Sequence, residues 1–131
     1  MIDPEYSGEA PTPDDPAGGG LVGTVRRIDG GALVCSLTGE LDLDGALAVG
    51  PVLDEALRSA APLLVIDLSA VEFCDSSGLN LLLRTRIGAE AAGTAMRLAG
   101  APTQVRRLLE ITGTDQVFSL DPTLELALAA R

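Results

Sequence analysis

An α/β fold with a mixed sheet of about five strands and about four helices is what three features of the sequence predict. Short apolar runs rich in branched residues alternate with longer stretches of helical spacing. The first two runs are separated only by Asp29, Gly30 and Gly31, so they should pair as an antiparallel hairpin. Later strands are each followed by a helical stretch, which demands crossovers and makes those neighbours parallel.

The strands are expected at Leu21 to Ile28, Ala32 to Leu37, Leu63 to Leu68, Ala95 to Ala99 and Val117 to Leu120. After Gly39-Glu40-Leu41-Asp42 a helix is suggested by Leu43, Leu47, Leu53 and Leu57, which fall near one face. Pro51 cannot donate an interior hydrogen bond, so a kink or a late start is expected there. A second helix follows Asp75-Ser76-Ser77-Gly78, with Leu79, Leu82, Leu83 and Ile87 inward, Asn80, Arg84 and Thr85 outward, and its end before Gly93. Thr103 is placed to cap a third helix that buries Val105, Leu108 and Leu109 and stops before Gly113. Asp121-Pro122 starts a fourth, carrying Leu124, Leu126 and Leu128.

Residues 1–20 are different in kind. They hold five acids, no basic residue, four prolines and the Gly18-Gly19-Gly20 run, with almost nothing to bury, and read as a disordered acidic tail. Residues 21–131 then form one domain, with 14 acids and nine arginines. That domain is only mildly acidic, although the whole chain carries a formal charge of -10.

Composition removes many functions. Nucleic acid and anionic membrane surfaces are excluded as partners, because both select for a positive footprint. Tyr6, Phe73 and Phe118 are the only aromatic residues, too few to stack bases. The absence of His removes Ser–His–Asp and Cys–His catalysis and the common zinc sites. The absence of Lys removes the Walker A lysine and Schiff-base chemistry. Cys35 and Cys74 sit in apolar segments without a CxxC spacing and read as buried reduced thiols. Neither a cofactor nor a metal site is indicated, and with no apolar run of membrane-spanning length and no signal-type start, a cytoplasmic protein is expected.

The informative residue is Ser76. At a strand-to-helix junction its hydroxyl should face outward beside backbone N–H groups that lack helical partners. A phosphate there would change the surface by roughly -1.5 to -2 charges, with little other chemistry within reach. Read alone, Ser76 and Ser77 are also ordinary helix caps. Glu40 and Asp42 are equally readable as solvated loop acids, and Gly78 as a point of close approach by a partner or by a neighbouring strand. In open α/β sheets working surfaces gather where strands end and helices start, which is where Asp42, Ser76 and Pro102 fall.

Gly39-Glu40-Leu41-Asp42, Val65-Ile66-Asp67-Leu68-Ser69 and Phe73-Cys74-Asp75-Ser76-Ser77-Gly78-Leu79, in this order and separation, resemble the STAS-domain anti-sigma factor antagonists of bacteria. Ala101 to Gly113 is similar to the third-helix region of that family, and the likeness spans about residues 21–130. The chain departs from the pattern at Cys74, where Met or Leu is frequent, and at Asn80, where a small residue is common.

The resemblance implies a STAS-like mixed sheet and a partner-switching cycle. An unphosphorylated antagonist binds an anti-sigma factor that is also a GHKL-type serine kinase, and a sigma factor is released. The kinase phosphorylates Ser76 and a PP2C-type phosphatase reverses it. Glu40, Asp42, Asp75, Ser77, Gly78 and Leu79 are the implied partner-binding positions. Two other classes compete. One is a STAS accessory subunit of a stress-signalling or lipid-transport assembly without a sigma factor. The other is a serine hydrolase acting through Ser76, which lacks both a His base and a GxSxG elbow. Nothing in the pattern selects an oligomeric state.

Overall fold

The computed structural model describes residues 20–130, so all but Gly20 of the expected acidic tail lies outside the described residues. Five strands, β1 (Val22–Arg27), β2 (Leu33–Leu41), β3 (Leu63–Cys74), β4 (Ala95–Ala99) and β5 (Leu120–Asp121), lie side by side in chain order. The first pair is antiparallel and all others are parallel. Four helices complete the order, α1 (Leu43–Arg58), α2 (Ser76–Ala92), α3 (Thr103–Thr112) and α4 (Leu124–Ala129). The expected fold class is therefore the observed one.

Side-chain alternation along the strands sends two apolar sets to opposite faces. Cys35, Ile66 and Leu98 join the larger core under α1, α2 and α3. Val34, Val65 and Ala99 join a smaller one closed by Ala127 of α4. Burial of this kind stabilises by about 25 cal/mol per Å² of apolar surface, so the larger core dominates stability.

Two strands are longer than the expected spans, for physical reasons. In β2 the core-facing series Leu33, Cys35, Leu37 continues through Gly39 to Leu41, and the missing Gly39 side chain hides the alternation. In β3 the series Leu68, Val71, Cys74 advances by three, because register shifts against β2 insert extra residues after Asp67 and again before Phe73. Asp67 is consequently inside a strand and not at its end, with its carboxylate accepting from the Ser69 N–H at 3.0 Å.

Leu53, Leu79 and Leu82 are buried as expected, but both major helices turn other expected core residues outward. In α1 the core stripe is Ala46, Val49, Leu53 and Ala56, whereas Leu43 and Leu47 are 58% and 68% exposed. In α2 the stripe Gly78, Leu82, Thr85, Ala89 runs inward, Thr85 is buried, and Ile87 points to solvent. Small residues occupy these stripes because the helices approach closely; the Thr85 hydroxyl donates to its own helix at Leu81 O, 2.8 Å away. Pro51 neither ends nor delays α1, which starts at Leu43; Pro51 lies on its exposed side, where the loss of one backbone bond is least costly.

Three smaller corrections concern helix starts and the last strand. Pro102, not Thr103, holds the N-cap position of α3, and no side chain caps it. Thr123 caps α4 by accepting from the Leu126 N–H, while Asp121 belongs to β5 and grips Arg97 through two bonds of 2.6 and 3.3 Å. The final strand is confined to Leu120–Asp121, since the N–H groups of Val117 and Phe118 both donate back to Thr114 O at the end of a 3₁₀ turn and not to β4.

Thr94, between α2 and β4, is 6% exposed, and its hydroxyl has no hydrogen-bond partner among the described residues. An unpaired buried hydroxyl costs about 1–3 kcal/mol, whereas a methyl of the same shape costs nothing of that kind. Thr94→Val is therefore expected to stabilise the domain by about 1 kcal/mol, read as a higher urea midpoint at unchanged slope. A lower midpoint would contradict the unpaired state of that hydroxyl.

Candidate functional site

The C-terminal ends of β2 and β3 stop side by side, with Leu41 and Cys74 as register partners. Each strand then hands over to a helix through one aspartate. Asp42 caps α1 by accepting from the Gly45 N–H at 2.9 Å. Asp75 caps α2, and one of its carboxylate oxygens accepts from both the Ser77 N–H at 2.9 Å and the Gly78 N–H at 3.2 Å. The two junctions are tied directly, because the Asp75 N–H donates to Leu41 O at 3.3 Å.

The third helix start joins them through a residue that the sequence did not single out. The Gln104 side chain accepts from the Cys74 N–H at 2.9 Å and donates to Cys74 O at 2.8 Å. This two-bond clamp across 30 positions satisfies the last backbone groups of β3 and anchors α3 beside them. An amide, with a donor and an acceptor on one group, is what such a clamp requires. The junctions at Asp42, Asp75 and Pro102 thus gather at one edge of the sheet.

Ser76 is the first residue of α2 and is exposed, and its hydroxyl is bound to nothing among the described residues. Capping by Asp75 leaves neither Ser76 nor Ser77 as the helix cap. It also corrects the expectation of free N–H groups beside the hydroxyl. Those of Ser77 and Gly78 are held by the Asp75 carboxylate and that of Leu79 by Asp75 O, leaving only the Ser76 N–H of the first turn without a partner among the described residues.

Glu40 and Asp42 lie at the C-terminal end of β2, Asp75 and Ser77 flank Ser76 in the chain, and all four are half-buried. Gly78 and Leu79 follow and are buried. Leu79 is 7% exposed within the larger core, and a Cβ on Gly78 would stand 2.1 Å from Leu41 O. Gly78 is thus the point of close approach to the protein's own neighbouring strand. Cys74 is buried below the junction; desolvation first and the Asp75 charge second push its thiol up to about 12, and burial pushes Cys35 up to about 11. Both thiols are neutral near pH 7 and poor nucleophiles. Among the described residues no cluster of His, Cys, Asp or Glu is fit to hold a metal ion, and no helix is long and apolar enough to cross a membrane.

Residues 24–125 match the family model described as Mlab, STAS domain. The anti-sigma-F factor antagonist RsfB of Mycobacterium tuberculosis is 37% identical over 100 residues, covering 75% of this chain and 80% of that protein. The chain belongs to the STAS-domain family of anti-sigma factor antagonists. A further relative, the anti-sigma F factor antagonist of Paenibacillus polymyxa, is 31% identical over 91 residues, or 69% of this chain and 78% of the relative. The crystal structure of an anti-sigma factor antagonist from Mycobacterium paratuberculosis superimposes with a TM-score of 0.76 at 37% identity, over 84% of this chain and 92% of its own. Coverage of this extent spans the STAS sheet, both aspartate caps and Ser76.

Proposed function

We propose that this protein is an anti-sigma factor antagonist: unphosphorylated, it binds an anti-sigma factor that is also a GHKL-type serine kinase and thereby frees a sigma factor. Phosphorylation of Ser76 ends that binding, and a PP2C-type phosphatase restores it. The observation that carries the reading is the exposed, unengaged Ser76 hydroxyl on the first turn of a helix whose cap is already filled by Asp75. The family and the names of the relatives support the choice of partner.

In the transfer, the Ser76 oxygen attacks the γ-phosphorus of ATP held by the kinase, the bond to the ADP oxygen breaks, and the hydroxyl proton passes to a base of the kinase. This chain supplies the acceptor and its placement, not a base, since the adjacent carboxylate is committed to the helix cap. The protein is a regulator in this reading and not an enzyme. The phosphate then adds about -1.5 to -2 charges at a surface fitted to a neutral hydroxyl, and desolvating that charge against a partner costs several kcal/mol.

Immobilised Ser76→Ala protein, which cannot be switched off, recovers the kinase for purification. With that kinase and ATP, the wild-type chain and Ser77→Ala should each gain one phosphate and Ser76→Ala none, read by intact mass. Phosphate on Ser77 would overturn the assignment.

A further inference from the structure

Between α1 and α2, beside the acceptor, lies a groove of about 250 Å³ that no part of the described chain fills. Leu43, Ala46 and Leu47 line it from α1; Ser77, Leu81 and Arg84 line it from α2. Single exposed leucines are ordinary on protein surfaces, but Leu43 and Leu47 are one helical turn apart on the same side and both more than half exposed. Ser77 joins the groove to the acceptor, being the next residue to Ser76.

Charge gives the groove a direction. Arg84 is exposed and its guanidinium has no hydrogen-bond or ion-pair partner among the described residues. The neighbouring Arg86, by contrast, donates to Val117 O and pairs with Glu90. On a chain of formal charge -10, an unpaired cation at the rim of an apolar groove favours a partner that sets a carboxylate beside an apolar side chain.

Resting on the proposed function above, we infer that this groove is the docking pocket of the kinase that phosphorylates Ser76. It receives an apolar side chain of the kinase between Leu43 and Leu47, with a kinase carboxylate beside it to meet Arg84. Contacts at this distance from the reacting oxygen hold substrate and transition state equally, so they set KM and not kcat.

Steady-state phosphorylation of the full chain by the kinase recovered on the Ser76→Ala protein tests this. Leu47→Glu and Arg84→Glu should each raise KM by about tenfold or more and leave kcat within about twofold. Arg84→Lys should stay within about threefold of wild type, because the charge is kept. Ile111→Glu, on the exposed side of α3 and outside the groove, serves as the control and should leave KM unchanged. Thermal melts superimposing on wild type establish that each variant is folded. Unchanged KM in folded Leu47→Glu and Arg84→Glu, with phosphate still placed on Ser76, would overturn the docking pocket while leaving the functional reading standing. Failure of the kinase to modify wild-type Ser76 would remove both.

Discussion

Ser76→Asp is expected to weaken kinase binding by about 30-fold or more while the domain melts within a few degrees of wild type. Two effects decide this, and they act on different partners. Within the chain, a carboxylate at the first position of α2 gains about 0.3–1 kcal/mol from the helix N-terminus. Asp75 already holds the Ser77 and Gly78 N–H groups, so that gain is offset by like charge next door and the fold is left near neutral. At the interface no such offset exists: burying a charge where a hydroxyl fitted costs about 2–5 kcal/mol. Ser76→Asn separates charge from size and should lose far less. Calorimetric titration of the three proteins with the purified kinase gives the comparison, and equal affinities for Asp and wild type would remove the electrostatic account.

The second large effect is structural. Gly78→Ala places a Cβ 2.1 Å from Leu41 O, 2.6 Å from Leu41 Cγ and 3.0 Å from Cys74 Sγ. The first obstacle is backbone and cannot rotate aside, so α2 must lift from the end of β2, straining the Asp75 N–H bond to Leu41 O. Overpacking costs about 1–3 kcal/mol, and the loss of a tying hydrogen bond adds about 1 kcal/mol. The gain in helix propensity, about 1 kcal/mol, runs the other way and is too small to win. A net loss of about 1–3 kcal/mol is expected, together with weaker kinase binding because the first turn of α2 has moved. Gly93→Ala meets nothing within 4 Å, although its φ of 73° disfavours a side chain, and should lose only about 1 kcal/mol. Urea midpoints order the two variants. A Gly78→Ala protein as stable as wild type would show that the helix start is not pressed against β2.

The fold class was legible because hairpin residues at Asp29 to Gly31 and alternating strand and helix patterns constrain topology strongly. Faces of helices were less legible. Apolar spacing marked Leu43, Leu47 and Ile87 as inward, yet Gly45, Ala46, Gly78, Thr85 and Ala89 share the core stripes with Leu53 and Leu82 and let the helices lie close to the sheet. Hydrophobicity alone cannot report a close approach. Strand lengths failed for a related reason: a glycine at a core-facing position of β2 and two register shifts in β3 disturb the period on which the reading depends.

At the site, the position of Ser76 at a helix start could be read from Asp75-Ser76-Ser77-Gly78, since that order punctuates a strand and opens a helix. Which of these residues performs the capping could not, because Asp and Ser both accept from backbone N–H groups and only geometry chooses between them. Gln104 left no sequence signal at all: its role exists only because α3 returns to the end of β3. The separation of Leu43 and Leu47 from the core, which opens the groove beside Ser77, was likewise invisible until the helix stripes were known.

The most direct measurement mixes the purified chain and kinase as a preformed complex, adds ATP, and follows phosphate position by mass spectrometry and complex content by size-exclusion chromatography in the same samples. One phosphate on Ser76 should appear in step with free, folded antagonist leaving the complex. A complex that persists after Ser76 is fully phosphorylated, or a phosphate that settles elsewhere while the complex falls apart, would contradict the account.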